Sequence, residues 1–251
     1  VAKVPTEPDA KASYVGAMFG RIAGRYDRMN GLMTAGRDRA WRRLAVRMAD
    51  PPPGGVALDV GCGTGDLALE LAGYPLRMVV GVDLAAPMVK LGRGKVAAAG
   101  RQELVHLGMG DALRLPFPAD TFDCVVTGFT LRNVASLPDA LAELVRVTRP
   151  GGRVVSLEIF PWRRGPLAPL LRLYFRAVMP LLGALVARDR GAYTYLPTSV
   201  RGFVTPDELA GLMADAGLDE VGYRPMAMGT VAVHCGVVRG ATRPCSQDEA
   251  P

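Results

Sequence analysis

Cysteine and histidine are scarce, at four and two in 251 residues. Cys62, Cys124, Cys235 and Cys245 show no Cys-x-x-Cys spacing, and His106 and His234 stand far apart, which argues against a zinc cluster or a disulfide framework. No bound metal is expected. Aromatic residues make up 6% and charged residues 22%, against 49% hydrophobic, a balance that excludes wholesale disorder and fibrous repeats. Internal repeats are absent. Val1, Ala2, Lys3, Val4 and Pro5 carry no apolar run behind a basic patch, so no secretory signal is expected and a reducing, cytoplasmic setting is. Lys plus Arg exceed Asp plus Glu by 30 to 24, a net +6. That balance favours anionic surfaces but is too scattered to form a nucleic-acid groove, so no nucleic-acid partner is expected. The one long apolar stretch, residues 166–187, is interrupted by Arg172, Arg176 and Pro180. Two arginines near its centre would cost about 2.5 to 3.5 kcal/mol each on an insertion scale, so a membrane span is not expected.

What the chain does contain is an alternation of apolar strand-like runs and helical stretches. Residues 1–12 and 239–251 read as frayed termini, and a helical prologue over 14–48 ends at Asp50, Pro51, Pro52, Pro53, Gly54 and Gly55, a stiff break. Continuous apolar runs at 56–60, 78–82, 104–107, 122–127 and 153–157 read as strands buried on both faces. Helices are expected over 66–72, 86–99 and 138–148. The repeated strand-helix-strand order predicts an α/β fold with a doubly wound, mainly parallel sheet. A proline-broken insertion follows over residues 160–205, then a helix over 206–216 and a closing strand pair around 221–223 and 230–238.

The first strand runs into Asp59, Val60, Gly61, Cys62, Gly63, Thr64, Gly65 and Asp66. Glycine at every second position lets a backbone pass close to a ligand and turn sharply into a helix. The third glycine comes one residue early for the dinucleotide loop, and Asp59 and Asp66 would repel a pyrophosphate. They suit a ligand bearing an ammonium and a sulfonium, as S-adenosylmethionine does. A merely tight turn is the alternative. Asp83, with Leu84 beside it, ends the second strand eighteen residues after Gly65, where a carboxylate accepts both ribose hydroxyls. A strand-end cap is its alternative role. After the third strand, Asp111 offers an acceptor to an adenine amino group, and Ala112 leaves room for the ring. His106, inside that strand, reads as a core histidine.

With the glycine loop, Asp83 and the Pro150-Gly151-Gly152 turn in order, residues 50–240 resemble the Rossmann-like S-adenosylmethionine-dependent methyltransferases. Three further segments resemble the quinone-biosynthesis C-methyltransferases that complete menaquinone and ubiquinone. They are residues 18–43, with Phe, Ile-Ala, Tyr-Asp, Asn, Gly and Trp-Arg at matching intervals, Leu131-Arg132-Asn133, and residues 193–199. The resemblance implies a seven-stranded sheet with an antiparallel terminal strand, an N-terminal helical cap and a helical insertion. It divides the chain into a disordered start and cap (1–50), a methyltransferase domain (51–240) and a disordered tail (241–251). It also implies that Thr64, Asp83, Asp111 and Ala112 contact S-adenosylmethionine, with Asp59, Gly61, Gly63, Gly65 and Leu84 around them, and that Tyr26, Arg132 and Asn133 face the methyl-transfer pocket. Arg132 as a surface ion pair and Tyr26 as a packing residue are the alternatives. The family often carries serine where Gly128 stands, so that contact passes to backbone or to Thr127.

The expected activity is therefore C-methylation of a prenylated quinol, demethylmenaquinol above all. A soluble phenol or polyketide as acceptor, and an inactive S-adenosylmethionine-binding partner in a quinone-biosynthesis assembly, remain as alternatives. Arg172 and Arg176 share one helical face of the 166–187 stretch, which fits a helix touching a membrane surface transiently. An internal cap or a homodimer face fits that stretch as well.

Overall fold

The computed structural model describes residues 7–161 and 190–240. In chain order the elements are α1 (Pro8–Met33), α2 (Asp38–Ala49), β1 (Val56–Val60), α3 (Asp66–Leu71), β2 (Met78–Asp83), α4 (Ala86–Ala98), β3 (Val105–Met109), β4 (Phe122–Gly128), a 3-10 turn (Leu131–Asn133), α5 (Leu137–Val147), β5 (Thr148–Ile159), α6 (Arg190–Arg201), α7 (Pro206–Asp215), β6 (Leu218–Met226) and β7 (Val231–Val238). The sheet order is β3-β2-β1-β4-β5-β7-β6. All neighbouring pairs are parallel except those made by β7, which runs antiparallel to both β5 and β6. This is the expected Rossmann-like α/β architecture.

Successive strand residues point to opposite faces, so the central strands divide their apolar side chains between two cores. Ala57, Val79, Val126 and Val155 pack with Leu44 and Val46 of α2, Leu67 and Leu71 of α3 and Val89 of α4. Leu58, Val60, Val125 and Val154 pack with Leu141 and Leu144 of α5 and Leu209 and Met213 of α7 on the other face. The break at residues 50–55 is therefore a turn in the chain and not a gap in the packing.

Four expectations need correction. Residues 8–12 are not frayed: Pro8 stands at the start of α1, where its missing N–H costs nothing, and Lys11 Nζ donates to the Val134 carbonyl at 2.6 Å. The prologue is two helices, because Ala35 and Gly36 take positive φ (50° and 73°) and close α1 before Asp38 begins α2. Burial on both faces fails at β3, a sheet edge, where exposed residues alternate with covered ones. His106 lies on β3 and is exposed, so it is no core histidine. The apolar stretch 166–187, with Arg172, Arg176 and Pro180, lies outside the described residues, as do residues 1–6 and the tail 241–251. No described helix is long and apolar enough to cross a membrane.

The buried histidine is His234 of β7, 0% exposed. Its Nε2 lies 2.9 Å from the Pro206 carbonyl, and its ring stacks on Tyr223 with centroids 4.8 Å apart. Burial lowers its pKa from 6.5 to about 4, against smaller opposing effects of the Pro206 hydrogen bond and Asp207. Between these values the unfolded chain takes up a proton that the folded chain refuses. Stability is thus complete above about pH 6.5 and falls as pH drops toward 4, by about 3 kcal/mol at most. Urea unfolding at pH 7 and pH 4.5 will show this loss, and His234→Gln will show a shallower one. An equal loss in both proteins would assign it to other groups.

Candidate active site

In an open α/β sheet the ligand crevice forms at the carboxyl ends of the strands where strand order reverses. Here that point lies between β1 and β4. Gly61, at φ 70°, follows β1, and a Cβ there would stand 2.2 Å from Thr130 Oγ1. Only glycine lets this loop close on the β4 side. The Gly61 and Cys62 N–H groups both donate to the Val82 carbonyl, at 2.8 and 2.9 Å, which ties the loop to β2. Gly63, at φ 54°, directs its missing side chain into open space, and its N–H donates to Asp83 Oδ2 at 2.9 Å. Asp83 Oδ1 accepts from Ala85 N at 2.8 Å. Burial raises the Asp83 pKa, and these two backbone donors lower it in part.

Two cavities meet over this loop. The larger, about 760 Å³ with the solvent-open space at its mouth included, is lined by Ala12, Val15, Phe19 and Tyr26 of α1, by Gly61, Gly63, Asp83, Leu84, Asp111 and Ala112, and by Gly128, Phe129 and Asn133. The smaller, about 340 Å³, shares Tyr26, Gly61, Gly63, Gly128 and Phe129 and adds Arg42, Asp59, Thr64 and Asp66. Most of the residues singled out from the sequence are thereby brought together. Gly65, Thr127 and Arg132 line neither cavity. Gly65 is the N-cap of α3 at φ 82°. Thr127 is 1% exposed and buries its Oγ1 without a partner.

The acidic residues differ from the expectation that both would answer a cationic ligand. Asp66 is already paired, with Lys95 and, at 3.4 Å, with Arg42. Asp59 is fully buried, accepts from Ala68 N at 3.0 Å through Oδ2, and leaves Oδ1 without a partner. Burial raises its pKa to about 7, helped by Asp83 and Asp66 and opposed by the Ala68 hydrogen bond and Arg42. Thr64 donates its hydroxyl to Asp27 Oδ1 of α1 at 2.6 Å and receives Lys95 Nζ at 3.2 Å.

Arg132 is neither on the surface nor free. Its Nη1 lies 2.8 Å from Glu158 Oε2, in a pair whose side chains are 5% and 0% exposed. Glu158 Oε1 also accepts from Leu131 N at 2.7 Å. Asn133 donates Nδ2 to the Phe129 carbonyl at 3.0 Å, and its Oδ1 is buried without a partner, as are Arg132 Nε and Asn30 Nδ2. Tyr26 has its pKa raised by burial, with Asn30, Arg132 and Arg42 pulling the other way; it stays a protonated phenol at neutral pH. Sequence reading missed Arg42, Phe129 and Glu158. Arg42 stands within the Trp-Arg signature, and Glu158 is next to last in β5, at the carboxyl end of the strand, which were the available signals.

The model of the ubiE/COQ5 methyltransferase family matches residues 7–238. The chain belongs to this family. Among its relatives, a demethylmenaquinone methyltransferase of Roseiflexus castenholzii is 48% identical over 93% of this chain and 97% of its own. The demethylmenaquinone methyltransferase of Thermus thermophilus is 44% identical over 87% and 99%. Of the solved structures, the [4+2]-cyclase SpnF superposes with a TM-score of 0.69 at 17% identity, covering 91% of this chain and 97% of its own. Phosphoethanolamine N-methyltransferase 2 of Haemonchus contortus, in complex with S-adenosyl-L-methionine, gives 0.59 at 14% identity over 79% and 52%. At such identities the structures share the fold alone, and a cyclase among them shows that the fold does not fix the reaction. This protein is an S-adenosylmethionine-dependent methyltransferase by its family.

The orphaned carboxylate in the smaller cavity has a measurable consequence. Asp59 titrates at about 7 in the folded chain and near 3.9 when unfolded. Its ionisation therefore removes stability as pH rises between these values, by about 4 kcal/mol at most. Asp59→Asn keeps an acceptor for Ala68 N without the charge. It should raise the thermal midpoint at pH 8 and leave it nearly unchanged at pH 5; equal shifts at both would show that Asp59 carries no buried charge.

Proposed function

We propose that this methyltransferase moves a methyl group from S-adenosylmethionine to a ring carbon of a prenylated quinol in menaquinone or ubiquinone biosynthesis, demethylmenaquinol to menaquinol being the favoured case. The observation that carries this reading is the division of one cleft. Its floor is the polar glycine loop with Asp83, and its roof is the apolar face of α1, Ala12, Val15 and Phe19, beside Tyr26 and Asn133. A nucleoside suits the first and an apolar aromatic acceptor the second. The names of the relatives, demethylmenaquinone methyltransferase and ubiquinone/menaquinone biosynthesis C-methyltransferase, support the same acceptor class.

The residues present fit the cofactor. Asp83 keeps lone pairs for two hydroxyls beyond its bonds to Gly63 and Ala85, Ala112 leaves space beside Asp111, and the orphaned Oδ1 of Asp59 suits an ammonium. S-adenosylmethionine supplies an electrophilic methyl group, so no metal is needed for the transfer. The protein's part is alignment. A quinol ring carbon becomes nucleophilic when a neighbouring hydroxyl loses its proton. Tyr26 donates its phenolic hydrogen and Asn133 offers its free Oδ1, which orient that hydroxyl. Arg132, neutralised by Glu158 and set behind the cleft wall, acts on the developing phenolate through its field and through the Asn133 turn, and not as an isolated charge in contact with it.

In the same reading the enzyme is cytoplasmic and visits the inner membrane face, its 166–187 stretch meeting anionic lipid through Arg172 and Arg176, each worth about 1 kcal/mol near the surface. A second copy of the chain is the other occupant for that stretch. Flotation with anionic vesicles should show binding that high salt reverses, and indifference to anionic lipid would remove the membrane part of the reading.

Labelled S-adenosylmethionine with separate panels of prenylated naphthoquinols, prenylated benzoquinols and soluble phenols tests the function. Label should enter a prenylated quinol, the naphthoquinol first; turnover confined to soluble phenols would overturn the assignment. Asp83→Ala should weaken S-adenosylmethionine by about 1.5 to 3 kcal/mol, the scale of hydrogen bonds to a charged group. Unchanged affinity in calorimetry would move the ribose elsewhere.

A further inference from the structure

Phe129 stands directly after β4 with φ 60°. A bulky side chain in this left-handed region is an outlier that glycine or asparagine would adopt without penalty, and such outliers collect where function needs them. The backbone of Phe129 is held from both sides: its N–H donates to the Leu157 carbonyl at 2.8 Å, and its own carbonyl accepts from Asn133 Nδ2 at 3.0 Å. The residue lines both cavities and so stands where they join. The Arg132 guanidinium carbon lies 5.6 Å from the centroid of its ring, within cation–π range. One aromatic residue therefore lines both cavities, packs against the core, and sets its ring beside the arginine that Glu158 holds.

We infer that Phe129 is a positioning residue for methyl transfer, its ring fixing the Arg132 guanidinium and orienting the aromatic ring of the acceptor beside the glycine loop. This rests on the reading of the cleft as a site for an aromatic acceptor. Chemistry favours it over plain packing. An aliphatic side chain of similar volume fills space equally well, yet it offers no π-face to a cation or to a planar ring. A left-handed Phe where glycine or asparagine would sit without penalty is what a functional demand for the ring at this turn would produce.

The test compares Phe129→Leu, which keeps apolar volume, with Phe129→Tyr, which keeps the ring, in the full chain with S-adenosylmethionine and a short-chain prenylated naphthoquinol. Leu should lower kcat about tenfold or more and raise KM for the quinol, with S-adenosylmethionine affinity within about twofold of the wild type, since displacing a positioned group by a fraction of an ångström is costly to rate. Tyr should restore kcat to within about threefold. Circular dichroism melts confirm folding, and Phe129→Met replaces Leu if that variant is unstable. Wild-type kcat/KM in Leu or Met, or equal losses in Leu and Tyr, would overturn the inference. Should the wild-type enzyme methylate soluble phenols and no quinol, the proposed function fails while the same comparison, run on that phenol, still decides the role of Phe129.

Discussion

A carboxylate buried completely is costly unless something answers its charge, and the acceptor side of the cleft is built around the answer to Glu158. Its two oxygens take the Leu131 N–H and the Arg132 guanidinium. The 3-10 turn therefore cannot drift away from the end of β5, and that turn carries Asn133 to the cleft wall and sets Arg132 over Phe129. The desolvation that raises the Glu158 pKa is opposed first by Arg132. Removing either partner alone would strand the other's charge, an effect of about 3 to 5 kcal/mol, so loss of activity in an Arg132 variant has to be separated from loss of the turn.

A second charged assembly fixes the roof. Asp27 of α1 joins Thr64 and Lys95, Lys95 joins Asp66, and Asp66 joins Arg42, which pairs in turn with Asp38 at the start of α2. Four helices and the glycine loop are linked through it. Its outer members are half exposed, and such pairs contribute little individually. Their effect is orientation: α1 lies across α4 with Phe19 and Tyr26 directed into the cleft. The cap is thus part of the cofactor cavity, since Tyr26 and Arg42 wall the space that Asp59 and Gly63 also line.

The elements legible in the sequence are those whose cause is local. Glycine spacing after an apolar run announces a turn that needs positive φ, and Gly61 and Gly63 have it; an aspartate closing the next run is at a strand end, and Asp83 is there. The architecture followed from the alternation of strands and helices for the same reason. Burial was less legible, because position in a sheet is not written in strand order. The third strand, with His106, became an edge, while the last strand, with His234, was inserted between two others. Pairings across long separations were hidden as well. Arg132 and Glu158 lie 26 residues apart, and Thr64 and Asp27 lie 37 apart. Only the folded sheet shows that Asp66 has its cations already and Asp59 has none of its own.

Several of the costs that this fold carries are gathered where the strands end at the cleft. Leu58, Val125, Leu144 and Val154 are sealed within the core and satisfy every local rule. The unpaired oxygen of Asp59, the desolvated carboxyl of Asp83, the free Nε of Arg132 and the left-handed Phe129 violate one rule each, and all lie at or beside the cleft. Natural folds tolerate such violations where function uses them. The arrangement has an electrostatic logic. On the proposed reading, a cofactor with an ammonium and two hydroxyls meets Asp59 and Asp83 as they stand, and Arg132 stands behind the wall that faces the acceptor. On the same reading, ligand binding relieves groups that folding left in deficit, so part of the binding free energy is stored in the empty protein as foregone stability. Catalysis by alignment requires this, because groups held ready in a low-dielectric cleft need no reorganisation when the charge moves.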